Sequence, residues 1–407
     1  GDSGLYMPET IPTLPASFFA SLPGMQLQEI GLEVSKAMLG SDIPADVLKK
    51  IVCDSLTFPI PLKQLDEQLF VLELFHGPTL AFKDVGARFM AGLFRYFLQQ
   101  DHRKAVILVA TSGDTGSAVA NAFYEQDGIQ VVILYPSGKV SGLQEKQLTT
   151  MGGNITALEV DGNFDDCQRL VKQAFADREL NRDINLTSAN SINFARLFPQ
   201  SFFYFNAVAQ LEPSDKNIVF SVPSGNFGNL TSGLIAKKMG LPVHRFIAAT
   251  NSNRVVPDYL TGGSYVPKQT HHTITNAMDV GDPSNFPRML EIYGKQHSAM
   301  ASNIDGYWFT DDETRSAMAI LQNKYTYQAD PHGAVAFAGL LKSGLLAVNT
   351  GIFLETAHPA KFPEEVEKST NTGVKIPDSL QEVMKREKQS LRMENKYINL
   401  VEVLRQM

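Results

Sequence analysis

The stretch AVILVATSGDTGSAVANAFY, residues 105–124, decides how the chain folds. Its first six residues are apolar without a break, TSGDTG is a turn, and residues 117–124 place apolar side chains at helical spacing. A strand with no polar face must be covered on both sides. The order repeats downstream: QVVILY (130–135) precedes a helix over 143–151, and ITALEV (155–160) precedes a helix over 164–177. Short apolar strands alternating with helices predict a parallel sheet in an α/β protein.

Further along, NFARLFPQSFFYFNAVAQL (193–211) reads as a helical run. The strand pattern then returns as NIVFSV (217–222), the turn PSGNFGN, a helix over 230–239 and a strand over 244–249, which starts a second sheet. Residues 251–309 are rich in Gly, Pro, Asn and His and read as a flap or a partly helical connection. TDDE (310–313) is a capping-box signature for a helix to about residue 323. One more helix is expected over 331–341 and a last strand over 351–354. Upstream, helices are expected over 27–39 and 44–56. The expected division is a mostly helical segment (1–70), a large domain (71–102 with 201–367), a smaller inserted α/β domain (103–200) and a charged helical tail (368–407).

The 407 residues carry a net charge of -7 without a long basic run, which gives no footprint for nucleic acid or an anionic membrane. Cys53 and Cys167 lack CxxC spacing, and the histidines lack HExxH spacing, so neither a disulfide framework nor a metal site is expected. No stretch reaches the length of a membrane span, and a reducing, cytoplasmic setting fits. The chain opens at GDSGLYMPE without an initiator Met, which points to residues trimmed or omitted upstream.

Four stretches could carry chemistry. In LELFHGPTLAFKDVGARFMAGLFRYFL (72–98), Lys83 falls at a helix start beside Leu80, Ala81 and Phe82, a setting that disfavours an ammonium and suits Schiff-base chemistry. On that stretch alone, a snorkelling lysine is the stronger account. SGNFGN (224–229), between a strand and a helix, suits a phosphate through successive N–H groups and the helix dipole. TSGDT (111–115) suits a carboxylate, although a hydroxyl there could serve only as a helix cap. SANSINFAR (188–196) gathers Ser191, Asn193 and Arg196, and the arginine could fork onto a phosphate.

Together HGPTLAFKD, ATSGDTGSAVA, LQEK, SANSINFAR, VPSGNFGNL, RFIAATN, NAMDVGDPSN and TAHPAKF, in this order, closely resemble the threonine synthases of bacteria and fungi over residues 4 to about 367. The resemblance implies a pyridoxal 5'-phosphate enzyme of the tryptophan-synthase β-like fold (fold type II). Two parallel-type sheets would be covered by helices, with an N-terminal helical segment. It makes Lys83 the Schiff-base lysine and catalytic base. It assigns Gly225, Asn226, Phe227, Gly228 and Asn229 to the cofactor phosphate, Thr356 to the pyridine nitrogen, and Asp114, where relatives often carry Asn, to the 3-oxygen. Thr111, Ser112 and Thr115 would hold the substrate carboxylate, and Ser191, Asn193 and Arg196 its phosphate. The implied substrate is O-phospho-L-homoserine, converted with water to L-threonine and phosphate by a monomer or homodimer. Two other readings stay open: a phospho-lyase yielding 2-oxobutyrate, and a non-catalytic relative.

Overall fold

The computed structural model describes residues 5–101, 104–111, 113–212, 214 and 216–407. Among these, eleven strands form two sheets: β1 (Leu62–Asp66), β2 (Leu69–Glu73), β3 (Ala105–Ala110), β4 (Ile129–Pro136), β5 (Ile155–Asp161), β6 (Leu186–Ser188), β7 (Ile218–Pro223), β8 (Val243–Thr250), β9 (Ile304–Trp308), β10 (Thr350–Glu355) and β11 (Leu391–Glu394). The chain divides into two units, one running to Phe82 and resuming over Leu197–Lys375, the other made of Lys83–Arg196 and Ile376–Met407.

In the first unit the sheet order is β1-β2-β10-β7-β8-β9, parallel except for the β1–β2 hairpin. Helices Asp311–Tyr325 and Pro331–Ser343 pack Met318, Leu321, Val335, Phe337 and Leu340 against Val219, Ile247 and Phe353 of the sheet. The capping box forms as expected, with Thr310 Oγ1 accepting from Glu313 N at 3.2 Å and Glu313 Oε2 accepting from Thr310 N at 2.8 Å.

The second unit has the all-parallel order β11-β5-β4-β3-β6. Alternation along its buried strands divides the apolar side chains between two faces. Val106, Leu108, Val132, Leu134, Leu158 and Val160 meet Cys167, Leu170 and Val171 of the Phe164–Ala176 helix. Ile107, Val109, Val131 and Ile133 meet Met90, Val119 and Phe123 on the other side. Each such side chain contributes roughly 1.5–3 kcal/mol on burial, so the continuous apolar runs are explained by two covered faces.

Three expectations change. The helix Lys83–Asp101, assigned from sequence to the large domain, belongs to the second unit. Its Phe94 ring packs edge-on against Phe123 at 5.9 Å, and that contact outweighs proximity in sequence to β2. The tail is not purely helical: β11 adds a parallel strand beside β5, and Leu400, Val401 and Leu404 of the Tyr397–Arg405 helix enter the core. Its charged pattern hid this because only Met393 of β11 is buried. Lastly, Pro199 interrupts the expected 193–211 helix, leaving Phe194–Leu197, a 3-10 turn at Phe198–Gln200 and Ser201–Ala209. The stretch 251–309 proves partly helical and ends in β9.

Candidate active site

Lys83 is the first residue of its helix, and its side chain is 17% exposed. The approach to it is fixed within the first unit. Leu80 adopts a left-handed conformation (φ 56°), its N–H donates to Gly77 O at 3.0 Å, and its carbonyl accepts from His358 N at 3.0 Å. Ala81 bridges to Ala357, and Phe82 N donates to the Thr356 carbonyl at 2.9 Å. A left-handed leucine costs on the order of 1–3 kcal/mol and persists only where neighbours hold it.

Within the second unit the Lys83 ammonium lies 3.8 Å from Asp114 Oδ2. Asp114 opens the Asp114–Phe123 helix, is 5% exposed, and accepts from Gln144 Nε2 at 3.0 Å through its other oxygen. Apolar flanks are therefore not the whole of the Lys83 surroundings, which include the Asp114 carboxyl group. Gly113 makes the close fit with Gln144 possible: its φ is 141°, and a Cβ there would lie 2.7 Å from the Gln144 amide carbon. Gln144 lies in the LQEK motif, but nothing in its spacing to Asp114 announces the contact.

Thr111 Oγ1 accepts from Gly113 N and Gly116 N, both at 2.9 Å, so its hydroxyl oxygen caps the helix and only its hydrogen is left to donate. Thr115 is half-buried on the first turn. Ser112 lies outside the described residues. The expected phosphate cluster is in the same unit. Arg196 is 3% exposed, donates to the Ala189 carbonyl, and burial pushes its guanidinium down to about 10. It remains a cation at neutral pH. Asn193 serves its own loop, donating to Ser188 O at 3.2 Å and accepting from Ala195 N at 2.9 Å. Ser191 is half-buried beside it.

In the first unit, β7 leads through Ser224 into the helix Gly228–Lys238. A Cβ on Gly225 would fall 2.8 Å from Ala277 O and Met278 Cα, both main-chain atoms. Asn226 is clamped by residues of the NAMDVGDPSN motif, its Oδ1 accepting from Ser284 Oγ at 3.0 Å and its carbonyl from Asn285 Nδ2 at 3.1 Å. Phe227 turns left-handed (φ 59°) immediately before the helix, whose first turn carries no acidic residue and no side-chain cap. Asn229 Oδ1 accepts from Tyr204 OH at 2.9 Å, while its buried Nδ2 has no partner. A donor left unsatisfied at a helix N-terminus is suited to an anion.

Thr356 follows β10 and is 7% exposed. Behind it lies a group that sequence reasoning missed. Asp330 Oδ2 accepts from Ala357 N at 3.1 Å, and Oδ1 accepts from His332 N and faces His332 Nδ1, both at 2.6 Å. Asp330 N in turn donates to Glu355 Oε1 at 2.5 Å. Burial raises the Glu355 carboxyl well above the usual carboxylate range, and the neighbouring Asp330 adds to the rise. In sequence, Asp330-Pro331 reads simply as a helix cap followed by Pro, which it also is.

Residues 56–351 match the family described as pyridoxal-phosphate dependent enzyme, and residues 1–56 and 334–404 match the N-terminal and C-terminal regions of threonine synthase. A threonine synthase of Haemophilus influenzae is 49% identical over 381 residues, covering 93% of this chain and 88% of its own. The chain belongs to the threonine synthase family. The crystal structure of threonine synthase from Escherichia coli superposes with a TM-score of 0.92 at 42% identity, covering 100% of this chain and 94% of that one. For pyridoxal-phosphate-bound threonine synthase from Brucella melitensis the TM-score is 0.93 at 37% identity, with the same coverage.

As in the rest of the threonine synthase family, the activity is a pyridoxal-phosphate-dependent lyase reaction that makes threonine. The residues present fit that cofactor. In the first unit, the left-handed Phe227, the helix start without an acidic residue and Asn229 Nδ2, unpartnered among the described residues, suit a phosphate; in the second, Lys83 offers an amine.

Proposed function

We propose that the chain converts O-phospho-L-homoserine and water to L-threonine and inorganic phosphate, with Lys83 as the cofactor anchor and the base. The observation that carries this reading is Lys83 at a helix start, 3.8 Å from an almost fully buried Asp114 carboxylate. When bound, pyridoxal phosphate supplies an electron sink for negative charge developing on the substrate carbons. Gly225, Asn226, Phe227, Gly228 and Asn229 would hold its phosphate, Thr356 would offer a hydroxyl to the ring nitrogen, and Asp114 would serve the 3-oxygen. Lys83 would take the α proton of the bound substrate and help move one from the β carbon. The C–O bond to phosphate at the γ carbon breaks, the γ carbon gains a proton, water adds its OH at the β carbon, and a proton returns to the α carbon to give threonine.

Thr111, Ser112 and Thr115 hold the substrate carboxylate, for which the remaining Thr111 hydrogen is suited. Ser191, Asn193 and Arg196 hold its phosphate, where a buried cation discriminates strongly for a dianion. The setting is a reducing, cytoplasmic one, with which the free Cys53 and Cys167 agree, and the protein acts as a monomer or homodimer. Incubating the protein with O-phosphohomoserine should release threonine and phosphate in equal amounts, and Lys83→Ala should abolish both while circular dichroism stays unchanged. Release of 2-oxobutyrate in place of threonine would overturn this reading in favour of the phospho-lyase.

A further inference from the structure

Asp330 is a fully buried carboxylate to which the reaction gives no role. Its two oxygens accept from Ala357 N and His332 N, and one of them also faces His332 Nδ1. Ala357 N belongs to the residue after Thr356. The segment 356–358 that this bond fixes is also the one that holds the three residues before Lys83. Thr356 O accepts from Phe82 N, Ala357 bridges to Ala81, and His358 N donates to Leu80 O. Lys361 Nζ adds a bond to Thr79 O at 3.1 Å. The left-handed Leu80 stays in place because these contacts over-determine it.

We infer that Asp330 is a positioning residue, whose carboxylate sets the backbone at Thr356 and Ala357 and, through it, the strained turn that leads into Lys83. The inference rests on Lys83 being the cofactor anchor. A carboxylate is required because both oxygens accept. An amide of the same shape points its NH2 at either Ala357 N or His332 N, and two donors facing each other repel. Glu355 Oε1 accepts from Asp330 N at 2.5 Å, and burial with the neighbouring Asp330 raises the Glu355 carboxyl well above the usual carboxylate range. The phosphate loop at 224–229 makes none of these bonds, so cofactor affinity and Lys83 placement should separate.

The test compares wild-type holoenzyme with Asp330→Asn and His332→Leu, the latter removing the imidazole contact while leaving the helix cap. Each is treated with borohydride and digested, and the fraction of Lys83 carrying a reduced pyridoxyl adduct is measured, alongside cofactor affinity, kcat and KM. In Asp330→Asn, trapping on Lys83 and kcat should each fall by about tenfold, with cofactor affinity and KM changed by less than about threefold. His332→Leu should show the same pattern at about two- to fivefold, and it decides the matter if Asp330→Asn does not fold. Wild-type trapping and kcat in a folded Asp330→Asn, or in His332→Leu when only that variant folds, would overturn the inference. Wild-type enzyme trapping the cofactor on another lysine would overturn the assignment of Lys83 itself, and the positioning role with it.

Discussion

Lys83 Nζ and Asp114 Oδ2 stand 3.8 Å apart, each residue the first of its own helix. Two helix starts of the same unit therefore bring a cation and an anion together, where the Asp114 charge also opposes the Lys83 helix's positive end. Asp114→Asn removes the charge and keeps a side chain able to accept from Gln144. The expected result is a loss of kcat/KM on the order of tenfold, about 1.4 kcal/mol, at an unchanged melting temperature. Steady-state kinetics and thermal melts measure the two quantities separately.

Gly225→Ala tests the phosphate loop without touching a side chain. The added Cβ would stand 2.8 Å from main-chain atoms of Ala277 and Met278, which cannot swing aside. Cofactor affinity, followed by absorbance or fluorescence titration, should weaken by at least about tenfold. Equal affinity would show that the loop has room to spare.

Glu355 gives the first unit a pH dependence of defined sign. Its carboxyl is raised well above its ordinary value by burial and by Asp330, so over that interval the folded state binds the proton more tightly than the unfolded chain. Its contribution is complete below the unfolded value and is lost as pH climbs through the folded one. Glu355→Gln cannot titrate. Its melting temperature should therefore decline less than wild type as pH rises above the ordinary carboxylate range.

Leu400→Ala probes the tail. Leu400 is 0% exposed in the core beneath β5 and β11, so truncation should cost about 2–5 kcal/mol, read from urea unfolding of the second unit. A detached tail would show almost no loss.

Legibility of the fold and of the site followed burial. Strands such as β3 and β4 are apolar at nearly every position because both their faces are covered, and that leaves a signal within a short window. β6 is three residues long and half-buried, and β11 buries only Met393, so their membership in a sheet is decided by partners far along the chain. For the site, the glycine loop and Lys83 stood out because their composition is unusual for their positions. Gln144, Ser284 and Asp330 did not, since a polar residue that serves another part of the protein looks in sequence like any surface one. Thr111 is an intermediate case: its place in the loop was visible, but its double acceptance from Gly113 and Gly116 depends on the folded turn.

β11 has a consequence for how the chain is made. Arg392 on β11 meets Asp161 on β5 across 231 residues, so the outer edge of the second sheet stays open until almost the whole chain has left the ribosome. The first unit waits too, because β10 joins β2 to β7 from near its end. Loop closures of that length slow folding and leave strand edges exposed in the meantime, so refolding from denaturant should be slow and prone to aggregation, and chaperone-sensitive during synthesis.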